Sequence, residues 1–223
     1  MPAGRLPAGW SRHGPLKMAT LDTANQPHDP APGSPSVGSP SGGHASVLTV
    51  GTVVWLASEL MFFSGLFAAY FTLRSLETGP WPPEGVELEP AIAGLFTIAL
   101  VASSATMQLA VRAIAAGNRR HFRIWIVVTL VLAAVFIANQ AREYAEASFT
   151  MGSHSYGSAF YLTTGFHGLH VLGGMLAMVV LVGRAANPRF RASETPAVEV
   201  VSYYWHFVDV VWIALFATIY LLQ

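Results

Sequence analysis

The chain has 223 residues, of which 53% are hydrophobic and 11% are charged; it contains no cysteine, and its formal net charge is zero. Since soluble domains carry about 25% charged residues, this composition excludes an ordinary soluble domain and indicates an integral membrane protein. The zero net charge argues against a nucleic-acid-binding protein, and the absence of cysteine excludes disulfides, thiolate nucleophiles and cysteine-ligated metals.

The first 45 residues differ in composition from the rest. The segment 27–43 is rich in Pro, Ser and Gly and poor in apolar residues, and such a segment cannot bury a core. We therefore predict a disordered tail over residues 1–45, followed by a transmembrane domain over residues 46–223.

Five apolar stretches follow the tail, each close to or longer than the roughly 20 residues that cross a bilayer. Because hydrocarbon offers no partner to an unpaired backbone group, each stretch must be helical. The predicted fold is all-α, an integral membrane bundle of five helices at about 46–73, 91–111, 124–141, 156–183 and 200–222.

The basic residues outside these stretches predict the orientation of the bundle. Ten of the twelve lie in the tail, between helices 2 and 3, or between helices 4 and 5, and only Arg74 and Arg142 lie on the other side. Since basic residues are enriched on the cytoplasmic side, we predict a cytoplasmic N-terminus and a C-terminus outside.

Two charged residues, Glu59 and Asp209, lie within the predicted spans. Glu59 is near the middle of the first span, where an unpartnered carboxylate is costly; the position suits a proton-handling group as well as a carboxyl that hydrogen-bonds a neighbouring helix. Asp209 shares a helix face with His206. Such a pair can neutralise itself, because the carboxylate can accept from the imidazole; of the two interpretations we favour a polar lock between helices.

His167 and His170 lie one turn apart in the fourth span and, with His206, make three intramembrane histidines. Metal or haem ligation must be considered, but two histidines one turn apart make a weak metal site, and haem ligands come from opposite faces of the ring. Close helix packing is predicted instead by four nearby glycines: Gly165, Gly168, Gly173 and Gly174. We therefore expect neither a metal site nor an active site in this chain.

Three stretches together resemble subunit III of the haem–copper oxidases: WLASELMFFSGLFAAYF at 55–71, YGSAFYLTTGFHGLHV at 156–171 and YYWHFVDVVW at 203–212. The segment QAREYAEA at 140–147 also resembles the family, and the matches follow the family's order from about residue 46 onward. The WPP sequence at 81–83 further resembles the form found with bacterial aa3-type oxidases.

The resemblance implies the short, five-helix bacterial form of the subunit, which lacks the first two helices of the longer form. It implies a bundle that packs on the catalytic subunit I, binds structural phospholipid and holds no cofactor, since haem a and copper belong to partner subunits. The implied function is that of an accessory subunit, beside subunit II and others in the bacterial plasma membrane. That complex passes electrons from cytochrome c to oxygen, pumps protons, and depends on this subunit for sustained turnover and proton uptake.

The resemblance also assigns individual residues. Glu59 falls on the family's buried membrane glutamate, and Arg184 falls on a basic position associated with lipid head-groups, where a guanidinium can bind a phosphate with two N–H groups. His154 departs from the family, since many relatives carry an acidic residue there. The intramembrane polar positions of the family are matched by His167, His170, His206 and Asp209.

Three alternatives remain open from the sequence. The same fold could serve a quinol oxidase or a nitric oxide reductase, because the electron-donor site would lie on a partner. A proton-coupled transporter that uses Glu59 is disfavoured because the sequence shows no repeated halves. A membrane haem anchor would use the histidines.

Overall fold

The computed structural model describes residues 47–187 and 190–222, and in these ranges the chain is helical with short connections and no strand. The five long helices are α1 (Val47–Leu76), α2 (Pro90–Ala115), α3 (Arg119–Glu146), α4 (Ser155–Ala185) and α5 (Thr195–Phe216). A 3₁₀ turn, Ala192–Glu194, precedes α5, and a π-helical turn, Ala217–Leu221, extends it. All five elements are long and apolar enough to cross a membrane, which confirms the predicted fold class.

Part of the sequence-based prediction falls on residues that the structure does not describe. These are the tail over 1–45 and four of the basic residues used for the orientation: Arg5, Arg12, Lys17 and Arg189. The described basic residues divide between the two ends of the bundle. We call the end with the α2–α3 and α4–α5 connections the basic end, and the opposite end the acidic end.

Helices α3 and α4 begin before the predicted apolar stretches, because a polar side chain caps each N-terminus. Helix α3 begins at Arg119 because the Asn118 side chain accepts a hydrogen bond of 3.1 Å from the backbone N–H of His121. Helix α4 begins at Ser155 because Nδ1 of His154 accepts from the backbone N–H of Gly157 at 2.8 Å. The residue by which the sequence departs from many relatives of the family it resembles is thus a helix cap.

Helices α2 to α5 form a four-membered ring, and α1 lies outside it. Helix α2 packs on α3 and α5, α4 packs on α3 and α5, and α1 packs mainly on α4 and α5. The ring buries large side chains in its centre, including Trp205, Trp212, Phe122 and Phe136. Only Thr52, Phe63 and Tyr70 are buried among the 30 residues of α1.

One of the predicted packing glycines allows α4 and α5 to approach closely. A Cβ atom at Gly174 would lie 2.8 Å from Cε3 of Trp205, whereas a Cβ atom at Gly168 would meet nothing within 4 Å. The Trp205 ring occupies this space. It is fully buried, and its Nε1 donates to Ser103 Oγ at 2.9 Å. Between these two glycines, the close approach of α4 to α5 is therefore found at Gly174.

Candidate functional site

The first polar cluster joins α1 to α4. Glu59 Oε2 lies 3.1 Å from His170 Nε2, and the two side chains are 24% and 17% exposed. Both residues were predicted from the sequence, but their pairing was not. Glu59 thus has a hydrogen-bonding partner on a neighbouring helix, close to the middle of the bundle.

Aromatic rings and backbone groups hold the His170 imidazole in place. The Phe63 ring contacts it edge-on at 4.9 Å, and the Tyr204 hydroxyl donates to the His170 carbonyl at 2.9 Å. The Tyr204 ring in turn stacks on Trp55 of α1 at 5.1 Å. These contacts join α1, α4 and α5 around the Glu59–His170 pair.

The hydrogen bonds of His170 determine how many protons the pair holds. Its Nδ1 lies 2.6 Å from the backbone carbonyl of Phe166, and because a carbonyl only accepts, Nδ1 carries a hydrogen. A neutral imidazole then has its lone pair on Nε2, so the contact to Glu59 contains one proton, held by the carboxyl or by the imidazole. In both cases the pair has no net charge.

The second cluster lies between α2 and α5. Ser104 Oγ lies 2.9 Å from His206 Nδ1 and also hydrogen-bonds Asp209 Oδ2. His206 and Asp209 are therefore joined through a serine of another helix, which lies between the two side chains. His206 is half-buried, whereas Asp209 is buried.

Sequence reasoning missed Ser104, and little in the sequence could have identified it. Ser103 and Ser104 are adjacent and chemically identical, and only the rotation of α2 decides which of them faces His206. Ser103 instead accepts the indole N–H of Trp205. Gln108, one turn further along α2, is a second missed residue: its Oε1 lies 3.5 Å from His206 Nε2.

His167 lies apart from both clusters, in the core of the ring. It is 1% exposed, and its ring stacks on Trp212 at 4.9 Å and meets Phe136 edge-on at 6.1 Å. Neither ring nitrogen has a hydrogen-bonding partner within residues 47–187 and 190–222. In the same ranges, His, Asp and Glu side chains form no group of three or more that could hold a metal ion.

Arg184 lies at the basic end, near the end of α4. Its Nη2 donates to Glu194 Oε2 at 2.5 Å, and its side chain is 52% exposed. Together with Asn187 and Phe190 these residues line a cavity of about 160 Å³. Since a guanidinium has five N–H groups, the bond to Glu194 leaves donors available at this surface.

Comparison with known proteins identifies the family of the chain. Residues 38–223 match the family described as cytochrome c oxidase subunit III. The chain is 49% identical over 181 residues to a probable cytochrome c oxidase subunit 3 of Nocardia farcinica, with 80% of this chain and 89% of the relative covered.

Two further relatives agree. A probable cytochrome c oxidase subunit 3 of Mycobacterium tuberculosis is 47% identical over 181 residues, and a cytochrome c oxidase subunit 3 of Corynebacterium diphtheriae is 46% identical over 183 residues. In both cases 80% of this chain and 89% of the relative are covered.

Proposed function

This chain belongs to the cytochrome c oxidase subunit III family, and we propose that it is the accessory subunit of a proton-pumping oxidase that passes electrons from cytochrome c to oxygen. Membership in this family places the chain in a multi-subunit oxidase. The proposed partners are the catalytic subunit I, on which the bundle packs directly, and subunit II. Haem a and copper belong to these partners in the proposal, and the complex lies in the bacterial plasma membrane.

The observation that carries the finer proposal is the Glu59–His170 pair. A carboxyl near the middle of a membrane helix is costly unless it has a function or a partner, and here it shares a proton with a histidine 3.1 Å away. Both side chains remain partly exposed, so the bundle itself does not enclose the pair. In this proposal the pair supports proton uptake by the complex and so sustains its turnover.

The test is oxygen consumption by the purified complex over many turnovers. Glu59→Gln keeps the size of the side chain but removes the titratable group, so we expect the complex to assemble and its activity to decline faster during sustained turnover. Glu77→Gln is the matched control, because it neutralises an exposed carboxylate beyond the end of α1. An unchanged time course in Glu59→Gln would exclude a functional carboxyl at this position.

The association with haem-bearing subunits has its own test. Affinity purification of the chain in mild detergent, followed by mass spectrometry, should recover a large haem-bearing partner in stoichiometric amount. The chain purified alone should show no haem absorbance. A stoichiometric haem band in the isolated chain, or the absence of a haem-bearing partner, would contradict the proposal.

We assign a lipid phosphate to Arg184 in this proposal. The half-exposed guanidinium at the basic end has donors beyond the one bound to Glu194, and Arg can bind a phosphate with two of them. Arg184→Gln should reduce the phospholipid retained by the complex in native mass spectrometry. Arg120→Gln, which removes an exposed arginine at the same end, should retain the lipid; equal losses would argue against a specific site.

A further inference from the structure

The cluster between α2 and α5 forms a continuous row of hydrogen-bonding groups. It runs from Gln108 and Ser202 through His206 and Ser104 to Asp209. His206 Nε2 lies 3.3 Å from Ser202 Oγ and 3.5 Å from Gln108 Oε1. Asp209 ends the row and is buried, with 4% of its surface exposed.

The donors and acceptors restrict where hydrogens lie in this row. An amide oxygen only accepts, so a hydrogen on His206 Nε2 can be donated to Gln108 Oε1. His206 Nδ1 then either accepts from the Ser104 hydroxyl or donates to it. A serine hydroxyl can donate one hydrogen bond and accept another at the same time, so both arrangements satisfy Ser104 fully.

We propose that Ser104 relays a proton between Asp209 and His206. In the forward step the Oδ2–H bond of the protonated Asp209 breaks, and its proton binds Ser104 Oγ. The original hydroxyl hydrogen of Ser104 moves at the same time to Nδ1 of His206. The products are a carboxylate, an intact serine and an imidazolium, and no electrons are transferred between residues.

The burial of Asp209 explains why such a relay matters. Its second oxygen, Oδ1, is buried without a hydrogen-bonding partner in the described part of the chain, so Asp209 reaches its surroundings through Ser104. A buried net charge at this depth is costly, and the relay keeps the pair neutral because one proton serves two groups. The relay rests only on contacts within this chain and does not depend on the proposed function.

The experiment follows hydrogen–deuterium exchange of the Asp209 carboxyl by infrared spectroscopy on the purified complex in lipid bilayers. The carbonyl band of Asp209 is the protonated-carboxyl band that disappears in Asp209→Asn, and its shift after transfer into D₂O gives the exchange rate. In Ser104→Ala the exchange should slow by about tenfold or more, which corresponds to about 1.4 kcal/mol of barrier. Ser104→Thr keeps the hydroxyl and should restore the rate.

Two variants separate the relay from a general effect on packing. Ser103→Ala removes the neighbouring hydroxyl, which contacts Trp205 and neither member of the relay, and should leave the rate unchanged. His206→Gln keeps Ser104 in place but removes the imidazole acceptor, and should slow the exchange as Ser104→Ala does; it also serves if Ser104→Ala does not fold. The proposal is overturned if neither Ser104→Ala nor His206→Gln slows the exchange of the Asp209 carboxyl, or if Ser103→Ala slows this exchange equally. It is also overturned if Ser104→Thr fails to restore the exchange rate, or if no carboxyl band depends on Asp209.

Discussion

The ring of α2 to α5 and the outer helix α1 are held in place by different contacts. In the ring, Trp205 and Trp212 are buried between helices, and each indole N–H donates to a side chain of α2. Helix α1 buries three of its 30 residues. Its polar ties to the ring are the Glu59–His170 pair near its middle and, near its C-terminal end, hydrogen bonds from Tyr70 and Arg74 to backbone carbonyls of the segment that follows α5. Because lipid is as apolar as leucine, burial of apolar surface cannot hold α1, and specific contacts must do so.

Polar side chains in the ring and at α1 have different surroundings. In the ring, polar side chains are surrounded by close packing, so their geometry is determined by many neighbours. At α1 the polar pair is partly exposed, and its surroundings consist of a few aromatic rings. We therefore expect substitutions in the ring to affect the stability of the whole bundle and substitutions at α1 to affect that helix alone.

The largest effect is expected from overpacking the ring at Gly174. In Gly174→Ala the new methyl group would lie 2.8 Å from the Trp205 ring, which is fixed by its bond to Ser103. We expect the free energy of unfolding to fall by about 3 kcal/mol, at the upper part of the usual range for overpacking. Unfolding by titration with sodium dodecyl sulfate in mixed micelles measures it.

Gly168→Ala is the matched control for this substitution. It lies in the same helix, and its methyl group would meet nothing within 4 Å. Alanine in a helix is favoured over glycine by about 0.5 to 1 kcal/mol, so the bundle should be unchanged or slightly more stable. Equal destabilisation by the two substitutions would show that packing at Trp205 is not what holds α4 to α5.

The next effect in size concerns a buried donor of the ring. Trp212 is 1% exposed, and its Nε1 donates to Thr97 Oγ1 at 2.9 Å. Thr97→Val keeps the shape of the side chain but leaves this N–H without its acceptor, which should cost about 1 to 2 kcal/mol. The same micelle titration measures the loss, and Thr97→Ser, which keeps the hydroxyl, should recover most of it.

The sequence predicts the five helices because an apolar stretch of this length can satisfy its backbone hydrogen bonds in a bilayer by forming a helix. It also singles out Glu59 and Asp209, since a charged side chain within a span is conspicuous. It does not predict that Glu59 meets His170 or that Ser104 separates His206 from Asp209. Those facts depend on which helices are neighbours and how each is rotated, and the apolar pattern of a membrane helix hardly encodes rotation because both its faces are apolar.

A smaller and more local effect is expected at α1. Glu59→Leu removes the hydrogen bond to His170, and intramembrane hydrogen bonds are worth about 0.6 kcal/mol on average and at most about 1.7 kcal/mol. A loss of about 1 kcal/mol should make backbone amides of α1 exchange with deuterium about fivefold faster. Hydrogen–deuterium exchange with mass spectrometry measures this helix by helix. Faster exchange across α2 to α5 as well would contradict the independence of the two regions.

The smallest effect is expected from Tyr204→Phe, which separates the hydrogen bond of the Tyr204 hydroxyl from the stacking of its ring on α1. The substitution removes the bond from the Tyr204 hydroxyl to the His170 carbonyl, 2.9 Å long, but keeps the ring that stacks on Trp55 at 5.1 Å. Since an average intramembrane hydrogen bond contributes about 0.6 kcal/mol, amide exchange in α1 should rise by less than in Glu59→Leu. Trp55→Ala, which removes the stack and keeps the hydroxyl, is the complementary variant. If Tyr204→Phe increases amide exchange in α1 more than Glu59→Leu does, the Glu59–His170 hydrogen bond is not the main contact between α1 and the ring. In that case the position of His170, which the Tyr204 hydroxyl helps to fix, matters more than the hydrogen bond to Glu59.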